Sequence, residues 1–372
     1  MRSSTTAHLP RPLRIGVDAC ELQGRPTGVG RYLRGLLGAW PAPDDTLVLY
    51  SNAGTVDTPV FARGPRIEVR DLSPRRVSGL VFRERLLPRA AGRDALDVFF
   101  SPAYTCPLSL RLPRVTTVHD LSFFSIPDDF TLLDGLRRRA LVAWSIRASA
   151  RIVAVSDFTR REIAGRFPDH AARIAVIPHG ADDALPAAAP RPERRRILAV
   201  GSILNRRRLP VLLAAVARLR RSHPDVRLDV VGDNRTHPRL HVAALVGRLG
   251  LDGRVSVTGF ADDAVLAERY AAAGVAVYLS EYEGFGMPVL EAMTRGVPVV
   301  TSTRPATGEI FSKAALTVDP ADDAAVAEAL AQAMDDEALR HQLAARGRAL
   351  AAGLTWARAA QSTRAVLAEA VA

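Results

Sequence analysis

The sequence predicts an α/β protein of two similar halves, each a mostly parallel sheet covered by helices, with a deep cleft between them. Short apolar runs of β character alternate with segments of helical periodicity along most of the chain, the pattern of parallel strands joined by crossover helices. The alternation stops at 181–196, an alanine-rich stretch in which prolines cluster, and then restarts, so this stretch reads as a linker. The length of 372 residues exceeds one ordinary core and fits two domains of roughly 150–200 residues.

In the first half, Leu13–Ala19 is an apolar run suited to a buried strand, followed by a glycine-rich loop and a helix from about Gly30 to Ala39. Thr46–Tyr50, Asp97–Phe100, Val115–Val118 and Arg151–Val155 are further strands. Leu132–Ala150 has helical periodicity, and so has Asp157–Phe167, with Asp157 as its expected cap. After the linker come strand Ile197–Val200, helix Leu209–Arg221, strand Arg227–Val231 and helix Pro238–Leu249. Strand Val255–Thr258, helix Asp262–Ala273 and strand Val275–Leu279 follow. The last helix, about Trp356–Ala370, is expected to return to the first half. Open α/β sheets bind ligands beyond the carboxyl ends of their strands, so the cleft between the two sets of strand ends is the expected site.

Composition narrows the class. Hydrophobic residues make up 48% and charged residues 24%, which is globular and not disordered. No segment approaches the roughly 20 apolar residues of a membrane span, and Met1–Arg14 lacks the apolar core of a signal peptide and reads as a disordered tail. Two cysteines, Cys20 and Cys106, support neither a disulfide framework nor a zinc site, so a cytoplasmic setting is expected. The net charge is +11, and residues 1–180 carry 26 arginines against 17 acidic residues. That asymmetry suggests an anionic partner for the first half: nucleic acid, an acidic membrane or a phosphate-bearing substrate.

The chemistry concentrates in Ser280–Met293, between two strand-like runs. Its glycine-rich turn leads into a helix, whose amino end presents N–H groups suited to a phosphate. Pro288 fits an early helix position, which places Glu291 in the first turn, facing the same mouth as Glu283. Such a site holds a diphosphate on amides and hydroxyl groups on two carboxylates. Gly201-Ser202-Ile203-Leu204-Asn205-Arg206-Arg207-Arg208 follows the first strand of the second half, where guanidinium groups meet a pyrophosphate or simply form a solvated run. His119-Asp120 ends a strand of the first half and suits a sugar hydroxyl or proton relay, or a structural role. Gly28-Val29-Gly30-Arg31-Tyr32 lacks the third glycine of a dinucleotide fingerprint, since position 33 is leucine. It is either a tight turn or a phosphate-facing loop. The pairs Asp182-Asp183, Asp262-Asp263 and Asp322-Asp323 read as linker residues or helix caps; with no Asp-x-Asp triplet, no protein-held metal is expected. Leu132–Ile146, with Arg137, Arg138, Arg139, Trp144 and Arg147, either lies on an anionic bilayer or is a buried helix with a basic face.

Taken together these segments resemble the retaining glycosyltransferases of the GT-B fold, specifically glycosyltransferase family 4, over nearly the whole chain. The most specific element is the E-x7-E motif of Glu283 and Glu291 around Gly-Phe-Gly-Met-Pro-Val-Leu. Further matches are the Gly28–Tyr32 loop, Ser101-Pro102, Val118-His119-Asp120-Leu121-Ser122, Val155–Thr159, Val176-Ile177-Pro178-His179-Gly180, Val257–Phe260 and Thr355-Trp356. His-Asp-Leu-Ser and the Pro-Asp-Asp-Phe after it look most like mannosyl- and rhamnosyltransferases of bacterial surface polysaccharides.

The resemblance implies two Rossmann-like domains, 1–180 for the acceptor and 197–353 for the donor, with linker 181–196 and a final helix, 354–372, on the first domain. It implies that Glu291 holds ribose hydroxyls, while Glu283 and the amides of Gly284, Phe285, Gly286 and Met287 contact the donor sugar. Arg206 faces the diphosphate, and Arg207 stands where the family usually has lysine. Gly259 and Phe260 lie by the nucleobase, His119 by the sugar and acceptor, and Gly28 and Gly30 approach the diphosphate. Gly201, Ser202 and Leu290 complete the donor positions. The implied reaction moves a hexose from a nucleoside diphosphate to a glycan or polyprenyl-diphosphate-linked acceptor at the inner face of the cell membrane, with no cofactor. A sugar-nucleotide 2-epimerase shares this outline but needs no acceptor. A basic nucleic-acid-binding protein is the non-enzyme alternative, but no recognised nucleic-acid module is present, so no nucleic-acid partner is expected.

Overall fold

The computed structural model describes residues 11–25, 27–56, 64–181, 188–189 and 191–372. Of the expected tail, Met1–Arg14, residues 1–10 lie outside the described residues, as do 182–187 and 190 of the linker with the pair Asp182-Asp183, whereas Arg14 already opens the first strand. Seven strands in the first half, β1 (Arg14–Asp18), β2 (Thr46–Ser51), β3 (Arg66–Asp71), β4 (Val98–Ser101), β5 (Arg114–Val118), β6 (Arg151–Ala154) and β7 (Ile174–Val176), form one parallel sheet ordered β3-β2-β1-β4-β5-β6-β7. Six in the second half, β8 (Glu193–Val200), β9 (Arg227–Val231), β10 (Val255–Thr258), β11 (Ala273–Tyr278), β12 (Val299–Ser302) and β13 (Leu316–Val318), are also parallel, ordered β10-β9-β8-β11-β12-β13. In each sheet the order reverses beside the first strand, so a crevice opens at the ends of β1 and β8. This is the GT-B architecture expected from the sequence.

The central strands are buried apolar runs, as sheets covered on both faces require. Three strands escaped the sequence reading. β3 reads Arg-Ile-Glu-Val-Arg-Asp and lies on a sheet edge, where charges keep the open edge from pairing with other chains. β7 and β13 are three residues each, too short to show a period. β8 begins at Glu193, so the last four residues of the expected linker belong to the sheet, with Glu193 opposite Ala273. Ser156, not Asp157, caps the helix Asp157–Arg166, its Oγ accepting from the Thr159 N–H at 3.1 Å. The helix expected from Pro238 starts only at Val242, because Asn234 and Thr236 hold 234–240 in a side-chain-bonded turn.

The final helix, Trp356–Glu369, packs on the first half as expected. Trp356 lies flat against Gly35, where a Cβ would stand 2.3 Å from the indole ring. Arg364 reaches Asp45 with two N–H···O bonds of 3.1 Å, and Asp45 also accepts from the Leu13 amide and the Trp40 indole. Among the described residues no helix is long and apolar enough to cross a membrane.

Candidate active site

The two halves meet where the β11 loop touches the end of β5. A Cβ on Gly284 would stand 1.6 Å from the His119 carbonyl oxygen, so glycine alone permits this approach. Beside it Tyr282 accepts a hydrogen bond from the Leu121 amide (3.2 Å) and donates to Glu162 (3.1 Å). Gly286, at φ 112°, turns the chain into the helix Met287–Thr294, with Pro288 in its first turn. Glu291 is the fifth residue of that helix, one position past the first turn in which the sequence reading placed it. The cleft beside this contact has a volume of about 340 Å³.

Glu283 is buried in its wall. Its Oε1 accepts from Arg207 Nε at 2.9 Å and from Ser280 Oγ at 3.1 Å. Burial pushes this carboxyl up, but Arg207 and then Arg206 outweigh it, so Glu283 stays below the usual carboxylate range. Arg207 lies over the Tyr278 ring, 5.0 Å from its centroid, and donates to the Ser202 carbonyl. Gly201 makes room for it: φ is +120°, and a Cβ would stand 2.3 Å from Arg207 Nη1. Arg206 faces Asp129 of the other half across 3.5 Å, its remaining N–H groups uncommitted among the described residues. Arg208 departs from the expected trio, since its left-handed backbone (φ 47°) sends the side chain out to Glu281.

His119 donates from Nε2 to the Pro102 carbonyl at 2.7 Å, because a carbonyl only accepts. Burial lowers its pKa, so near neutral pH the ring is uncharged and Nδ1 offers a lone pair. His179, which also lines the cleft, is held by aromatic contacts with Tyr32, Phe285 and His119 at 4.9–5.4 Å. Burial, then His119, drives its pKa well down. Asp120 accepts from Ser122 and from the Tyr104 hydroxyl, which carries that carboxylate to the cleft edge.

Glu291 accepts from the Tyr270 hydroxyl at 2.9 Å and from Arg31 Nη1 at 3.3 Å. Burial raises its pKa, and Arg31 and Tyr270 offset this in part. Phe260 is partly exposed nearby, with Arg25 of the other half 5.6 Å from its ring centroid. Thus Gly28, His119, Gly201, Ser202, Arg206, Arg207, Phe260, Glu283, Gly284, Phe285, Gly286, Met287 and Glu291 all line one cavity. Three expected positions do not. Leu290 is fully buried in the core of the second half. Gly30 packs under its helix against the Glu21 carbonyl, and Gly259 sits behind Asp233, which accepts from the Phe260 amide. Arg31, Tyr104, Asp120, Asp233, Arg235 and Tyr278 line the cavity too but were not proposed as ligands, although Arg31 and Asp120 stand inside quoted motifs. Among the described residues no group of three or more His, Cys, Asp or Glu is placed to hold a metal ion.

A cavity with paired arginines, a helix amino end and two carboxylates in its walls suits a phosphate ester carrying hydroxyl groups. The comparisons agree. Residues 26–185 match the family model for Glycosyltransferase Family 4, and residues 182–350 match that for Glycosyl transferases group 1. The chain is 31% identical over 369 residues to O-antigen chain mannosyltransferase B of Escherichia coli, covering 89% of this chain and 93% of that one. It is 36% identical over 154 residues to the lipopolysaccharide core biosynthesis glycosyltransferase LpsE of Rhizobium meliloti, covering 41% of this chain and 43% of that one. Among solved structures, Anabaena HepE in complex with UDP and glucose superposes with a TM-score of 0.71 at 20% identity, over 96% of this chain and 99% of that one. WaaG, a glycosyltransferase involved in lipopolysaccharide biosynthesis, does so at 0.73 and 18% identity, over 95% and 99%.

Proposed function

The chain belongs to the family 4 glycosyltransferases, and from that premise we propose that it moves a hexose of mannose or rhamnose type from a nucleoside diphosphate to a surface glycan, with retention of anomeric configuration. One observation carries this reading: Arg206, Arg207 and the Gly286-capped helix converge on buried, ionised Glu283, opposite Gly28 and neutral His119. The departing diphosphate develops negative charge, which arginines and helix-end amides stabilise. Glu283 fits sugar hydroxyls better than nucleophilic attack, because Arg207 and Ser280 already occupy its Oε1. Front-face attack is therefore favoured, the acceptor hydroxyl losing its proton to the leaving phosphate. Glu291 takes the ribose, and the Nδ1 lone pair of His119 accepts from a sugar hydroxyl.

The acceptor fits a glycan or a polyprenyl-diphosphate-linked glycan reached from the cytoplasmic leaflet, the similarity to the O-antigen mannosyltransferase being the support. Peripheral membrane contact is supported by the helix Leu132–Ala148, which exposes Leu132, Leu133, Leu136 and Trp144 among Arg137, Arg138 and Arg147. The deciding experiment incubates the protein with GDP-mannose, GDP-rhamnose, UDP- and dTDP-sugars and a lipid-linked glycan, and reads the new linkage by NMR. An α-linked product from an α-linked donor is expected. An inverted linkage, or an epimerised sugar nucleotide made without acceptor, would overturn the proposal.

A further inference from the structure

Arg31 stands on the helix Gly28–Gly38 of the first half, yet its guanidinium ends on the second half. Nη2 lies 2.5 Å from Asp263 Oδ1, and Nη1 lies 3.3 Å from Glu291 Oε1. Glu291 is largely but not fully buried, and Arg31 is the strongest influence opposing the cost of that burial. The charge of one wall is thus matched by a cation from the other. A pair of hydroxyls arriving at Glu291 needs the oxygen that Arg31 occupies. A guanidinium displaced from Glu291 keeps Asp263 on Nη2, and its Nη1 is left open to a second anion. Its own helix begins at Gly28, which faces open space: no atom lies within 4 Å of where a Cβ would stand. Phosphate oxygens brought to that opening would offer the freed Nη1 a charge-assisted bond.

We propose that Arg31 is a donor-exchanged gate. It clasps Glu291 and Asp263 across the cleft and gives its Glu291 contact over to the donor diphosphate when the ribose takes that carboxylate. The inference rests on the reading of Glu291 as the ribose ligand. The halves stay bridged with donor bound, by Arg31 on Asp263 and through the nucleotide. The donor shifts this equilibrium only because it contacts the two states differently.

Calorimetry with Arg31→Gln tests the exchange, using whichever of GDP, UDP and dTDP binds the unaltered protein most tightly, together with its parent nucleoside. The nucleoside diphosphate should lose at least about tenfold in affinity, while the nucleoside holds or gains, because its competitor for Glu291 is gone. Arg31→Lys, which keeps the charge and guards against a folding defect, should fall between them for the diphosphate. Equal losses for both ligands would make Arg31 a structural prop, and an unchanged or tighter diphosphate would make it a plug or a bystander; each overturns the proposal. If none of the nucleotides binds the unaltered protein, the donor reading itself falls, and the gate with it.

Discussion

Burial pushes the Glu283 carboxyl up, and Arg207 and Arg206 more than offset it, holding it below the usual carboxylate range. Arg207, largely covered, and buried Glu283 thus depend on each other, and removing either partner strands the other. Arg207→Met should lower turnover at least about 100-fold and cost about 3–5 kcal/mol of stability, read by steady-state kinetics and urea unfolding. Arg207→Lys should keep most of the stability and lose more of the turnover, because an ammonium lacks the planar fork that both lies over Tyr278 and bonds Glu283. His119 and His179 set the pH response. Both are held below the ordinary histidine value, so each takes up a proton when the chain unfolds. Their contribution is complete above about pH 6.5 and is lost as pH falls further, at up to about 1.4 kcal/mol per pH unit for each proton. His179→Gln should flatten the slope of unfolding free energy over that window by up to one proton's worth, and an unchanged slope would show that His179 titrates normally.

At the scale of elements, the β11 loop and the end of β5 act as one joint. The Gly284 backbone lies so close to the His119 carbonyl that a methyl group fits only if the halves separate. Gly284→Ala should therefore cut turnover by at least about 100-fold, since small misplacements of reacting groups are this costly. Each half should retain its own sheet, because the substitution lies at the joint and outside both cores. Circular dichroism unchanged from the parent together with lost transfer activity is the expected pair of results; normal activity would mean that the joint is loose. The same glycine was legible in the sequence as part of a phosphate-facing turn, but its contact with the other half was not. That contact joins residues 165 positions apart, and no local period reports it.

At the scale of the molecule, the last helix fastens the chain back to its beginning. Asp45 is fully buried and satisfied by Arg364, the Trp40 indole and the Leu13 amide. Asp45→Ala would leave a buried guanidinium without its carboxylate and should cost about 3–5 kcal/mol, measured by urea unfolding. The exposed apolar face of Leu132–Ala148 belongs to the same first half. Its neighbour, the loop at Cys106–Ser109, bonds that helix through Ser145 and the segment bearing Leu80 through Glu84, so the two exposed regions flank one loop. Replacing Leu132, Leu133 and Trp144 together by serine should abolish flotation with anionic vesicles while leaving soluble-acceptor activity in place. Equal flotation on neutral and anionic vesicles by the unaltered protein would remove the electrostatic part of this contact.

The alternation of apolar runs and helical periods was enough to determine two parallel-sheet halves, because buried parallel strands leave a pattern within a few residues. The Glu283–Glu291 spacing and the arginines after β8 likewise announced a phosphate-binding site, since that chemistry comes from one loop and one helix end. What the tertiary structure decided is everything that spans the cleft. Arg206 and Arg207 turn inward while Arg208 turns out, because a single left-handed residue redirects the third side chain. Leu290, inside the motif, faces the core, because one helical face must be buried. Arg31 meets Glu291 across 260 residues of sequence, and that pairing exists only once two sheets face each other. The physical reason is one of range: backbone periodicity is written locally, whereas the charge balance of a cleft is set by whichever side chains the folded halves bring within a few ångströms.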